Sequence, residues 1–187
     1  MGVQDGWYRR KLPHWQPDGA ALFLTWRLHG SLPSSVAGDG VIRSGRDFVR
    51  IDRELDKALS GPMWLTEPAI AGAVARSIGF AGRELDLYDL QAWVVMPNHV
   101  HLVVSPHVEM WKITKAVKGY SAKEANLLLG RTGQPFWQSE SFDRWVRDRW
   151  EMARIVRYVE ENPVKAGLTT HAEQWPWSSA SRRTVRG

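Results

Sequence analysis

The hydrophobic and polar residues of the chain form short segments that alternate between strand-like and helix-like periodicity. Residues 21–28 alternate and are rich in β-forming residues, which predicts a strand. Apolar residues at helical spacing predict a helix over 48–59 and another from Glu67-Pro68 toward Phe80. The remaining pattern predicts strands at 88–96 and 99–105, a helix at 108–129, a strand at 140–146 and a last helix at 148–162, which ends before Pro163.

This order of elements indicates the fold class. The strands at 88–96 and 99–105 are joined only by Pro97-Asn98, and so short a connection requires antiparallel pairing. Strand, helix, hairpin, helix, strand is the order of a ferredoxin-like sandwich. We therefore predict an α+β fold: a ferredoxin-like antiparallel sheet with helices on one face and an extra C-terminal helix.

Composition narrows the functional classes. The 187 residues are most economically a single domain, and a net charge of +5 hints at a polyanionic partner. The chain contains no cysteine, which excludes disulfides, zinc–thiolate sites and thiol nucleophiles. It has no run of 18 apolar residues, so we expect a cytoplasmic protein.

Two histidines stand two residues apart in the strand-like run VVMPNHVHLVV. Alternation along a strand sends the imidazoles of His99 and His101 to the same face of the sheet. Two neutral imidazoles converging there would be half of a metal site. The alternative is a pair of ordinary core histidines.

The last predicted helix offers a way to complete such a site. Tyr158 and Asn162 are four residues apart and share one side of the helix, next to its apolar stripe. If this helix packs over the histidines, the Asn162 side-chain oxygen becomes a candidate third ligand, with the Tyr158 hydroxyl one turn away. Glu161 is a rival ligand, because a carboxylate suits a hard cation.

Basic and aromatic residues suggest where DNA would bind. The N-terminal arm mixes both types without periodicity, and the helix at 108–129 has lysines at steps of three. The candidate contacts are Arg9, Arg10, Lys11, His14, Trp15, Lys112, Lys115, Lys118, Arg144 and Arg147. The alternative is that the lysine run is simply a solvated helix face.

A family resemblance rests on three segments. VVMPNHVHLVV, GRTGQPFWQSESFDRWVRD and RYVEENPVKAGL resemble the single-tyrosine HUH transposases, and specifically the REP-associated tyrosine transposases. The similarity runs from the LPHW arm to WPWSSA. It implies one HUH transposase-like domain over 1–187, with a basic aromatic arm at 1–19, a catalytic core at 20–168 and a tail at 169–187.

The resemblance also implies a chemistry. His99, His101 and Asn162 would bind Mg²⁺ or Mn²⁺, and Tyr158, on the C-terminal helix, would be the nucleophile that cuts single-stranded DNA beside REP-like hairpins. Attack would leave a 5′-phosphotyrosine and a free 3′-hydroxyl, so rejoining needs no ATP. We expect a monomer or homodimer with single-stranded hairpin DNA as its partner and no membrane association. The rival nucleophile, Tyr120, lacks the Asn-Pro context.

The sequence is also compatible with two other functions. One is a catalytically silent domain that binds nucleic-acid hairpins. The other is a metal-dependent phosphodiesterase that uses water as its nucleophile.

Overall fold

A computed structural model of the protein describes residues 20–32, 45–57 and 61–183. Within these residues the strands are β1 (Leu22–Arg27), β2 (Tyr88–Val95), β3 (His99–Pro106) and β4 (Phe142–Trp145). The helices are α1 (Gly45–Asp56), α2 (Pro68–Arg83), α3 (Met110–Leu128), α4 (Arg149–Glu160), α5 (Asn162–Lys165) and α6 (Ser179–Arg183). Short 3₁₀ turns lie at Trp64–Thr66 and Ala172–Gln174.

The four strands form one antiparallel sheet in the order β2-β3-β1-β4. The two central strands, β1 and β3, are separated in sequence by the helices and by β2. In the β1–β3 register, Thr25 stands opposite His101 and Arg27 opposite His99. The predicted α+β fold with a ferredoxin-like antiparallel sheet is therefore confirmed.

One face of the sheet is covered by α2 and α3. Every second residue of β3 points to this face, and Val100, Leu102 and Val104 are all fully buried. They share one hydrophobic cluster with apolar side chains of both helices, among them Val74, Ile78, Ile113 and Val117. This face is a continuous apolar core.

The opposite face carries the histidines and packs against α4. Asp148 caps the start of this helix by accepting hydrogen bonds from the backbone N–H groups of Trp150 and Glu151. Val159 is completely buried, in a cluster with Phe23 and Val103 of the sheet. The extra helix thus lies across the sheet from α2 and α3.

The end of the last predicted helix differs from the expectation. Pro163 does not follow a helix that runs through Asn162; instead α4 ends at Glu160, and Pro163 lies in the first turn of α5. Proline is tolerated there because the first turn of a helix has no internal partner for its N–H group. Asn162 therefore occupies the junction of two helices.

The segment after α5 covers the free edge of β2. The Val95 N–H donates to Trp177 O at 2.8 Å, and the indole N–H of Trp175 donates to Val95 O at 3.0 Å. Covering an edge in this way removes unpaired backbone groups that would otherwise favour pairing with another chain.

No helix among the described residues has both the length and the apolarity needed to cross a bilayer.

Candidate functional site

The imidazoles of His99 and His101 converge beneath α4. Both side chains are fully buried, and their Nε2 atoms lie 3.1 Å apart. Because the residues alternate with Val100, the strand delivers both rings to the same point while Val100 anchors the opposite face.

The protonation of His99 is set by the turn that precedes it. Asn98 is almost fully buried and uses its Nδ2 to donate to Leu55 O at 3.0 Å. Its Oδ1 therefore faces His99 Nδ1, 2.7 Å away, and must accept a hydrogen bond from it. Nδ1 of His99 carries the proton, and Nε2 presents a lone pair to the site.

The second imidazole is oriented by the neighbouring strand. Thr25 Oγ1 lies 2.7 Å from His101 Nδ1, a contact that follows from their cross-strand pairing. When the His101 Nδ1–H group donates to this hydroxyl, Nε2 is free to bind a metal. Such outer partners are typical of histidines that ligate metals.

Helix α1 brings two carboxylates to the same point. Asp52 Oδ1 lies 3.3 Å from His101 Nε2 and 3.9 Å from His99 Nε2, and Asp56 Oδ1 lies 3.7 Å from His99 Nε2. Both oxygens are buried and lack a hydrogen-bond partner among the described residues. Asp52, His99 and His101 form a buried group that could hold a metal ion.

Asn162 contributes a further buried donor. The residue is fully buried, and its Nδ2 lies 3.4 Å from His101 Nε2. Its Oδ1 has no hydrogen-bond partner among the described residues. Since an amide presents oxygen or nitrogen by a half-turn, the side chain can offer either atom to the imidazoles.

Burial controls the charge of these groups. It raises the pKa of Asp52 to about 8, with a further contribution from the charge of Asp56, and raises the pKa of Asp56 to about 6. Burial also lowers the pKa of His99 to about 3 and holds that of His101 well below its usual value. The imidazoles are therefore neutral, and the acids tend to keep their protons. A cation that binds here displaces the protons of the acids.

Tyr158 and the carboxylates line one cleft of about 580 Å³. The Tyr158 ring lies edge-on to His101, with 5.7 Å between the ring centroids. The cations Arg53, Lys57 and Lys165 line the same cleft, and Lys165 Nζ lies 4.8 Å from the centroid of the Tyr158 ring. The cleft thus combines a phenol, buried acids and three cations that an incoming phosphate can meet.

The rival residues lie elsewhere. Glu161 is about half exposed and forms an ion pair with Lys165 at 3.7 Å, so its carboxylate is turned to the surface. Tyr120 is on α3, is 54% exposed and stacks on Phe80. Tyr120 thus lies on the helix that covers the opposite face of the sheet, and Glu161 is not part of the buried Asp52–His99–His101 group.

Those basic residues proposed to contact DNA that the structure describes do not form one surface around the cleft. Lys112, Lys115 and Lys118 are on α3, which covers the face of the sheet opposite the histidines. Lys118 Nζ donates to Gln138 O at 2.8 Å, among other contacts, and so ties α3 to the segment before β4. Lys112 is paired with Glu109 at 3.0 Å.

The remaining DNA-contact candidates differ in position. Arg144 forms an ion pair with the buried carboxylate of Glu151, while Arg147 is exposed just before α4. Arg9, Arg10, Lys11, His14 and Trp15 lie outside the described residues.

Sequence reasoning missed the acidic half of the site. Asp52 and Asp56 are four residues apart on a predicted amphipathic helix, beside the apolar positions Ile51 and Leu55. Two carboxylates on one flank of an apolar stripe are a detectable signal, because each lies next to a position expected to be buried. Their nearness to the histidines is a matter of tertiary structure.

Comparison with known proteins shows which family part of this chain matches. Residues 81–162 match the family model described as transposase IS200 like, a segment that contains the histidines, Tyr158 and Asn162 but neither Asp52 nor Asp56. A REP-associated tyrosine transposase of Escherichia coli (strain K12) is 25% identical over 104 residues, or 54% of this chain. The chain spans 59% of the length of that relative.

A solved structure extends the similarity to the fold. A REP-associated tyrosine transposase bound to a REP hairpin superposes with a TM-score of 0.60 at 19% identity, covering 96% of this chain and 87% of that one. Residues 81–162 thus match the IS200-like transposase family model, and the resemblance of the chain to the REP-associated tyrosine transposases is confirmed.

Proposed function

We propose that the protein is a metal-dependent endonuclease and strand transferase that acts on single-stranded DNA at hairpins of the REP type. The observation that carries this proposal is the cleft in which Tyr158 lies beside Asp52 and Asp56, with the ring of His101 edge-on to that of Tyr158. The similarity to transposases supports it, and one of those relatives is a protein bound to a REP hairpin. The division into arm (1–19), core (20–168) and tail (169–187) is part of the same proposal.

The donor set fits a divalent cation. His99 and His101 would supply two imidazole nitrogens, and Asp52, Asp56 and Asn162 would supply oxygens that otherwise lack partners. A set of two nitrogens and several hard oxygens, without thiolates, favours Mn²⁺ or Mg²⁺ over a structural zinc. When bound, the cation would act as a Lewis acid and orient the scissile phosphate.

The reaction we propose replaces one phosphate ester bond of the DNA by one phosphate ester bond to the protein. Tyr158 Oη attacks the phosphorus, the Oη–P bond forms and the P–O3′ bond breaks. The phenolic proton of Tyr158 passes to solvent, and the departing 3′ oxygen takes up a proton from solvent to become a hydroxyl. The phosphodiester energy is kept in the 5′-phosphotyrosine, so the 3′-hydroxyl of a strand can reverse the step.

The neighbouring side chains have defined tasks. Thr25 and Asn98 hold the two imidazoles, and Lys165, over the ring of Tyr158, offers a positive charge to the phosphate at the moment of attack. A charged donor in a partly buried site can lower a barrier because it is already in place before charge develops.

A denaturing gel tests the proposal. The full chain is incubated with Mn²⁺ and a labelled single-stranded hairpin, and a covalent protein–DNA band is expected for the wild type and for Tyr120→Phe but not for Tyr158→Phe. Tyr120→Phe is the matched control, because it removes the same hydroxyl from a distant surface. Cleavage without a covalent band would indicate water as the nucleophile, and binding without cleavage would indicate a silent hairpin-binding domain.

A further inference from the structure

The exposed side of α4 carries a stripe of arginines and one tryptophan. Trp150, Arg154 and Arg157 follow each other at steps of four and three residues, and Arg149 stacks its guanidinium over the Trp150 ring at 4.9 Å. All four side chains are exposed, and Trp150 is 68% exposed. We call Arg149, Trp150, Arg154 and Arg157 the arginine–tryptophan face.

Ion pairs among the described residues do not offset the charge of this face. Within the described part of the chain, Arg149, Arg154 and Arg157 form no ion pair. The nearby acids have other partners. Glu151 is buried against Arg144, and Glu160 accepts a hydrogen bond from Ser179. Asp148 caps the start of α4, and Glu161 pairs with Lys165. The face therefore presents uncompensated positive charge beside an indole that packs against little else.

The position of the face connects it with the cleft. Arg154 lies four residues before Tyr158 and so shares the side of α4 on which that cleft-lining residue stands. From Trp150 to Arg157 the stripe extends over about 10 Å along the helix axis. A strand leaving the cleft along this helix would meet guanidinium groups for its phosphates and an indole for a base. Stacking on an exposed indole requires a base that is not already paired within a duplex.

We propose that the arginine–tryptophan face binds the single-stranded DNA segment adjoining the scissile phosphate, with an unpaired base stacked on Trp150. This assignment deepens the proposed function, on which it rests. The face binds the strand while Tyr158 cuts it, so affinity and chemistry are separable.

The other exposed indole provides a matched control. Trp111 on α3 is 52% exposed, and Lys112 and Lys115 place their Nζ atoms 5.5 and 6.0 Å from its ring centroid. The chemistry resembles that of the arginine–tryptophan face, but α3 covers the opposite side of the sheet. A strand that passes through the cleft along α4 does not reach it.

Binding is measured by fluorescence anisotropy with a labelled unstructured single-stranded oligonucleotide, on the full chain, in EDTA so that no cutting occurs. Trp150→Ala should weaken binding roughly 5- to 100-fold, and Trp150→Phe should restore most of the affinity. Arg154→Gln and Arg157→Gln should each lower the slope of log affinity against log salt by about 0.7. Trp111→Ala should leave both quantities unchanged.

The inference is overturned if Trp150→Ala binds as the wild type does, or if Trp111→Ala loses as much affinity. It is also overturned if Trp150→Ala weakens binding to a blunt duplex by the same factor, because a paired base does not stack on the indole. Strand binding that depends on Trp150, in a protein that forms no covalent band with Mn²⁺, would refute the proposed function and leave this assignment intact. A covalent band together with an unaffected Trp150→Ala would do the reverse.

Discussion

The two faces of the four-stranded sheet are built from alternate residues of the same strand, yet they bury different chemistry. Toward α2 and α3, strand β3 presents Val100, Leu102 and Val104, which join a continuous apolar cluster. Toward α4 it presents His99 and His101, whose neighbours include two carboxylates and an amide with unpartnered oxygens.

This difference shows how stability and chemistry are divided within one fold. The apolar face gains free energy of folding from buried surface. On the other face the buried acids and imidazoles cost free energy, because they lose hydration and are not fully compensated by partners. The first face therefore supports the second, and substitutions on the two faces should have separable effects.

The sharpest test of this separation substitutes neighbouring residues of β3. Leu102→Ala should lower the free energy of unfolding by roughly 2–5 kcal/mol, because it leaves a cavity in the apolar core. His101→Ala should instead weaken Mn²⁺ binding by at least about 100-fold, more than the usual loss on removing an outer partner of a ligand. Chemical denaturation and calorimetric titration measure the two effects.

If each of these variants lost both stability and metal affinity to a similar extent, the two faces would not be separable. Val104→Ala serves as a second variant of the apolar face, since it is further from the metal ligands along β3.

Metal binding should depend on pH through Asp52. Because burial has already lowered the pKa of both histidines, they are neutral between pH 6 and 8, and Asp52, with its pKa raised to about 8, should control metal binding. Mn²⁺ affinity should rise up to about 50-fold from pH 6 to 8 as the ionised fraction of Asp52 grows, with release of protons. Calorimetry in two buffers of different ionisation enthalpy measures that release.

Without metal, the same pKa predicts the opposite trend for stability. Between pH 4 and 8 the unfolded chain has lost the Asp52 proton while the folded protein keeps it, so the free energy of unfolding should fall as pH rises. Asp52→Asn should flatten both trends. An affinity that instead follows an ordinary histidine titration near pH 6.5, unaltered by Asp52→Asn, would contradict this assignment.

A smaller effect is expected for the residue that holds His99. Asn98→Ala removes the acceptor of the Nδ1–H group, and Mn²⁺ affinity should fall about 10-fold, at the lower end for lost outer partners. Asn98→Asp, which keeps an oxygen at that position, should recover more affinity than Asn98→Ala. Equal affinity in the wild type and Asn98→Ala would show that the hydrogen bond does not influence the site.

The sequence predicted the periodic parts of this molecule well. The hairpin around Pro97-Asn98, the shared face of His99 and His101, and the spacing of Tyr158 and Asn162 all follow from local periodicity, which strands and helices obey. The ferredoxin-like order followed from the succession of these elements.

The relations between distant elements could not be predicted in the same way. Helical periodicity says that Lys112 and Lys115 are exposed, but not which face of the sheet α3 covers. Asp52 approaches His101 through the docking of α1, and nothing local in either segment records that contact. Asn162 was expected at the end of the last helix, but it begins a new helix, with Pro163 in the first turn.

One feature of the site, the amide of Asn98, has a consequence for how the site assembles. The same side chain donates to Leu55 O, near the end of α1, and accepts from His99 Nδ1. If α1 moved away, the amide would lose the hydrogen bond that fixes its orientation, and His99 would lose the acceptor that selects its tautomer. Asp52 and Asp56 would leave the site in the same movement. The acidic ligands and the metal-binding tautomer of His99 are therefore gained or lost together. A partly formed centre, which could bind a metal without aligning it, is disfavoured.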